Sequence, residues 1–102
     1  MNFSLAIVAL NLGKKVQRKG WNGKGMFIFK TEGREIELEQ FGKFKNGNSE
    51  AIEKAREIGT HKGDIVKINA HIDMVCADGS ITVGWLASQT DMLADDWQEL
   101  SF

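Results

Sequence analysis

The 102-residue chain is 42% hydrophobic and 26% charged, with a formal net charge of −1. That length supports one modest core and leaves much surface uncovered. Near-neutral charge excludes a general DNA binder, whose footprint is strongly basic, and leaves room for a local basic cluster.

Cys76 is the single cysteine, so no intramolecular disulfide can form, and its place in the pattern below suits a small buried hydrophobe. Proline and tyrosine are absent, and turns fall to glycine, Asn and Asp. Residues 1–12 lack a basic leader and are too short and interrupted to span a bilayer. No membrane segment is expected, and the cytosol is the expected compartment.

Ser4 is placed to cap a helix through about Leu12, with Gly13 as its left-handed terminator and Lys14-Lys15 beside the negative end of the dipole. Leu5, Val8, Ala9 and Leu12 form one apolar stripe, and Phe3, Ile7 and Leu10 form a second. A helix apolar nearly all round is buried on more than one side. In so small a chain this predicts a subunit interface as well as core packing.

Residues 15–31 read as a hairpin around Asn22-Gly23, with Trp21 across from Lys24 and Gly20 across from Gly25. After Gly33, Glu35-Ile36-Glu37-Leu38-Glu39 alternates as a short strand with an acidic outer face. Residues 40–49 look loop-like. Asn48 or Ser49 then caps a short helix to Ile58, with Glu50/Lys54 at helical spacing. Its apolar stripe is thin, which marks residues 32–62 as a peripheral insertion.

Residues 64–76 alternate with period two: Val66, Ile68, Ala70, Ile72, Met74 and Cys76 on one face, Lys67, Asn69, His71 and Asp73 on the other. Asp78-Gly79 suits a type I′ turn, which sets Cys76 opposite Ile81, Met74 opposite Val83 and Ile72 opposite Trp85. Ser88-Gln89-Thr90-Asp91 resembles a capping box opening a short helix through Leu93 or Ala94. Residues 96–102 close the chain as an edge strand with Trp97 inward. The sum is an α+β fold in a single domain, 1–102: an antiparallel sheet, a buried N-terminal helix and small peripheral helices.

Three constellations can carry chemistry. Arg18-Lys19-Gly20-Trp21-Asn22-Gly23-Lys24-Gly25 puts three cations and a tryptophan within eight residues, enough to hold a phosphate with a base stacked on the ring. A plain hairpin with Trp21 resting on the Lys24 stem explains the same residues. His71 and Asp73, joined by Asp91 or by Asp95/Asp96, suit a metal or acid–base pair. A hydrogen-bonded histidine on a sheet surface is the commoner outcome, and a metal wants more ligands. Trp85 with Ser88, Gln89, Thr90 and Asp91 offers an aromatic, hydroxyls and an amide at a helix start. A core tryptophan followed by a helix cap accounts for these residues equally well.

Taken together, the Phe3-Ser4-Leu5-Ala6 helix, Arg18 to Met26, His71-Ile72-Asp73-Met74, Ala77-Asp78-Gly79 and the run Trp85-Leu86-Ala87-Ser88-Gln89-Thr90-Asp91-Met92 to Trp97 resemble the phage family of Thoeris anti-defence protein two. The resemblance covers residues 1 to about 30 and 63 to 100. It implies a non-enzymatic homotetramer that binds, without cleaving, a cyclic ADP-ribose isomer made by bacterial TIR-domain immune enzymes. Some relatives also hold cyclic oligonucleotides at separate sites. It implies that Trp21 and Trp85 stack an adenine or flank the ribose and that Arg18, Lys19 or Lys24 pairs the pyrophosphate, with no cofactor. Relatives carry Tyr-Arg-Pro where this chain has Ile68-Asn69-Ala70, a departure that bears on ligand choice.

Overall fold

The computed structural model describes residues 1–21, 24–44, 50–51, 53–54 and 65–101. In chain order the elements are α1 (Phe3–Asn11), β1 (Lys15–Arg18), a 3₁₀ turn (Lys19–Trp21), β2 (Phe27–Thr31), β3 (Arg34–Glu37) and α2 (Leu38–Phe44). There follow β4 (Ile65–Ile68), β5 (His71–Val75), β6 (Ile81–Val83), α3 (Gln89–Leu93) and β7 (Trp97–Leu100). The fold is α+β, as the sequence predicts. No described helix is long and apolar enough to cross a membrane.

Contacts gather the chain into two compact units, Met1–Glu32 with Ala70–Phe102, and Gly33–Asn69. The first holds an antiparallel five-stranded sheet in the order β6-β5-β2-β1-β7, with α1 and α3. Val16, Ile28 and Met74 lie side by side on β1, β2 and β5 and pack beneath Ala6, Ala9 and Leu10 of α1. Each of the larger side chains here, Leu10, Val16, Ile28 and Met74, contributes about 1.5–3 kcal/mol. The second unit pairs β3 with β4 across Glu35↔Lys67 and Ile36↔Val66, and α2 packs on both strands.

The helix start differs from expectation by one cap. Asn2, not Ser4, accepts the Leu5 N–H at 3.0 Å. The end is as read: Gly13 sits at φ 81°, its N–H donates to Leu10 O at 3.0 Å, and Lys14 N–H donates to Ala9 O at 3.0 Å. That pair of bonds is a Schellman closure, which the glycine makes sterically cheap. Within the chain α1 is buried along one flank only. Leu5 (52%), Val8 (53%) and Leu12 (68%) remain exposed.

Several local expectations change. The alternating stretch 64–76 is two strands rather than one, broken at Asn69-Ala70, because β4 pairs with β3 while β5 pairs with β2 and β6. Alternation reports a pleat, not the partner. The β5–β6 register is Val75↔Ile81, Met74↔Thr82 and Asp73↔Val83, one residue from the expected pairing. The cause is a three-residue loop, Ala77–Gly79. Gly79, at φ 87°, donates to Cys76 O at 2.9 Å, and Cys76 donates to Ser80 O at 2.7 Å. Asp78 Oδ1 accepts both the Ser80 N–H (2.9 Å) and its hydroxyl (2.6 Å). A one-residue slip exchanges the two faces of a strand, so Thr82 meets Met74, and Ile81 and Val83 are exposed.

β1 ends at Arg18, so Gly20 and Trp21 lie in the 3₁₀ turn instead of facing Gly25 and Lys24. The turn pair Asn22-Gly23 lies outside the described residues. The strand expected over 35–39 stops at Glu37, and α2 takes up its last two residues and the first part of the loop expected over 40–49. Leu38 is buried, and Glu39 sits in the first helical turn, where a negative charge is favoured. The expected helix to Ile58 falls largely outside the described residues; Glu50, Ala51, Glu53 and Lys54 are helical. The capping box of α3 and the edge position of β7 with Trp97 inward are as predicted.

Candidate functional site

Three tryptophans separated by up to 76 positions in the sequence meet in space. Trp21 leaves the 3₁₀ turn, Trp85 follows the β5–β6 hairpin, and Trp97 opens β7. Their ring centroids lie 6.2 Å (Trp21–Trp85), 5.3 Å (Trp21–Trp97) and 6.2 Å (Trp85–Trp97) apart, with interplanar angles of 73°, 79° and 80°. Edge-to-face contact is the favoured aromatic geometry. Trp97 is buried and also touches Phe3, whereas Trp21 and Trp85 are half-buried.

This geometry narrows what the rings can do. A base held between two parallel rings needs about 7 Å, twice the ~3.5 Å contact distance. At 6.2 Å and 73°, Trp21 and Trp85 form a corner instead of a slot. Such a corner has room for a planar group on the face of one ring and not between the two.

Arg18 stands at the hub beside the corner. Its Nε donates to Asp96 Oδ1 at 2.8 Å, its Nη2 to Asp96 Oδ2 at 3.5 Å, and its Nη1 to Asp91 Oδ1 at 2.8 Å. The guanidinium and Asp91 side chains are each only 15% exposed. The other Asp91 oxygen accepts the Ser88 N–H (3.2 Å) and hydroxyl (2.9 Å), while Ser88 Oγ accepts the Asp91 N–H (3.1 Å). Asp91 O accepts from Trp97 Nε1 at 2.9 Å.

The expected pyrophosphate cation is therefore already paired with two carboxylates. Asp91 and Asp96 join Arg18, not His71. Lys19 and Lys24, on either side of Trp21 in the sequence, are exposed, and neither forms an ion pair among the described residues. Gln89 and Thr90 are exposed in the first turn of α3. Asn22 lies outside the described residues.

His71 and Asp73 form a separate cluster. Asp73 is 5% exposed; it accepts from Thr31 Oγ1 at 2.5 Å and Gly84 N–H at 3.0 Å, and His71 Nε2 lies 3.3 Å from its Oδ1. These bonds tie β2, β5 and the end of β6 together. His71 also lines an open cavity of about 320 Å³ with Ile7, Leu10, Asn11, Lys30 and Ile72. Among the described residues, no group of three His, Cys, Asp or Glu is placed to hold a metal.

Sequence reading offered Asp96 as a partner of His71 and missed its pairing with Arg18, and it missed the role of Trp97 as the third ring. Asp95-Asp96 is visible as a carboxylate pair, but nothing local links it to Arg18, 78 positions away.

The electrostatics carry a pH prediction. Burial pushes the Asp91 carboxyl up, but hydrogen bonds from Arg18 and Ser88 outweigh it and hold the group below its ordinary value. Arg18, then the Gly20 N–H, do the same for Asp96, and these bonds raise the Arg18 pKa in turn. Carboxyls depressed in the folded state contribute stability above the unfolded pKa, and lose it as pH falls through the folded value. The melting temperature is expected to be level above about pH 5 and to fall below about pH 4. Asp91→Asn is expected to flatten part of that fall in thermal circular dichroism. An acid limb equally steep in the variant would remove Asp91 from the linkage.

Fold and site together define a small α+β protein with an aromatic corner formed by Trp21 and Trp85. The chain belongs to the Thoeris anti-defense 2-like family, whose model matches residues 1–100. It is 34% identical over 101 residues to the Thoeris anti-defense 2 protein of Bacillus phage SP01, covering 99% of this chain and 96% of that protein. The match runs through residues 32–62 as well as the flanking stretches.

Proposed function

We propose that this anti-defence protein sequesters a cyclic ADP-ribose isomer produced by a bacterial TIR-domain immune enzyme, in the host cytoplasm and without cleaving it. The observation that carries the reading is the Trp21–Trp85 corner with the exposed cations Lys19 and Lys24 close in sequence to Trp21. Stacking of an adenine on one indole, with charge-assisted bonds from lysine to the pyrophosphate, suits a compact dianion. Family membership supplies the anti-defence context.

The test is to mix the protein with product from an activated TIR enzyme, remove the protein by filtration, denature it, and analyse the released material by mass spectrometry. Release of an intact cyclic ADP-ribose isomer is expected. Free signal in the filtrate with none on the protein would sink the reading. A linear product would move a hydrolytic role for His71 and Asp73 to the front.

The same reading includes a homotetramer. Leu5, Val8 and Leu12 expose an apolar stripe on α1, and α3, which packs on α1, adds exposed Met92 and Leu93. Covering such a surface with a second copy removes it from water at roughly 25 cal/mol per Å². The double substitution Val8→Glu and Leu12→Glu is expected to shift the sedimentation coefficient from tetramer to a smaller species with the far-ultraviolet spectrum unchanged. An unshifted tetramer would place the interface elsewhere.

A further inference from the structure

We infer that Asp96 is a positioning residue for the ligand corner, fixing where the Trp21 ring sits without touching the ligand; this rests on the sequestration reading above. Three consecutive residues ahead of Trp21 are held by this one residue. Arg18 Nε and Nη2 donate to its carboxylate, Lys19 N–H donates to its backbone oxygen at 3.1 Å, and Gly20 N–H donates to Oδ2 at 2.9 Å. The 3₁₀ turn that delivers Trp21 has no strand partner of its own, because β1 ends at Arg18. Its position is set by these bonds.

Asp96 also acts on the other two rings. The next residue is Trp97, which packs edge-on against Trp21 at 5.3 Å and pairs with Arg18 across the β1–β7 ladder. The third arm of Arg18 reaches Asp91, whose second oxygen caps Ser88, three residues after Trp85. Asp96 thus ties the Trp21 turn to the segment that carries Trp85 through a single guanidinium.

Gly20 fits the same account. A Cβ at this position would lie 3.1 Å from Asp96 Oδ2 and 3.3 Å from Arg18 Nη2. The backbone comes that close to the carboxylate because glycine leaves the approach open.

Asp96→Asn preserves the shape and loses the charge. It leaves one oxygen to serve both Gly20 N–H and the guanidinium, and turns an NH2 donor toward the other donor. The ring then shifts, and the ligand loses part or all of a stacking contact whose full loss costs roughly 5- to 150-fold in affinity.

The experiment compares full-length wild type, Asp96→Asn and Glu99→Gln, the last an exposed carboxylate that pairs with Lys14 on the same strand as Trp97. Near-ultraviolet circular dichroism of the ligand-free proteins reads the coupled indoles. Calorimetric titration with the cyclic ADP-ribose isomer, well below every melting temperature, reads affinity. Asp96→Asn is expected to change the near-ultraviolet spectrum and to weaken affinity roughly fivefold or more, while Glu99→Gln changes neither. An unchanged near-ultraviolet spectrum in Asp96→Asn would overturn the proposal, as would wild-type affinity in that variant. A wild type that binds no nucleotide refutes the sequestration reading instead, and the near-ultraviolet comparison still decides whether Asp96 positions the ring.

Discussion

Replacing Trp21 with alanine is expected to weaken capture of the cyclic nucleotide by roughly 5- to 150-fold, the equivalent of about 1–3 kcal/mol of base–aromatic stacking. Trp21 meets Trp85 and Trp97 edge-on, at 6.2 Å and 5.3 Å, and both contacts are lost in the variant. The melting temperature therefore falls as well, and affinity must be titrated where the variant is fully folded. Trp21→Phe keeps a ring on which to stack and is expected to recover part of the affinity. Wild-type affinity in Trp21→Ala would remove this side chain from the site.

Trp97→Ala is expected to cost the fold about 3–5 kcal/mol, the range for truncating a buried aromatic. Domains of this size hold about 5–15 kcal/mol in total, so the loss is a large share of the whole stability. The residue is 2% exposed and packs on Phe3, Trp21 and Trp85. Its backbone N–H donates to Met1 O at 3.1 Å, and its indole N–H satisfies Asp91 O. Urea denaturation followed by far-ultraviolet circular dichroism reads the loss. A change below about 1 kcal/mol would mean that Trp97 is not the side chain that closes this end of the core.

These two residues illustrate how unevenly the sequence speaks. Trp21 is conspicuous because three cations and three glycines crowd it, and Trp97 is legible as an inward residue of a final strand. That they touch each other, with Trp85 completing the corner, is not written in any local pattern. The pairing of Arg18 follows the same rule. Its cationic neighbourhood suggests a phosphate ligand, yet its nearest anions are carboxylates 73 and 78 positions on.

What the amino-acid sequence determined by itself lies within about four residues along the chain. The Gly13 closure of α1 and the Ser88/Asp91 capping box are of this kind, because hydrogen bonds and sterics there involve only near neighbours. The α+β class follows from adding such elements together. Only the tertiary structure decided the partners. It separated β4 from β5 into different sheets, slipped β6 by one residue through a loop one residue longer than expected, and turned the expected hairpin end at Trp21 into a 3₁₀ turn bound to Asp96. Strand pairing, register and ion pairing are competitions among distant segments for the same backbone and charged groups, and their outcome depends on how the whole core packs.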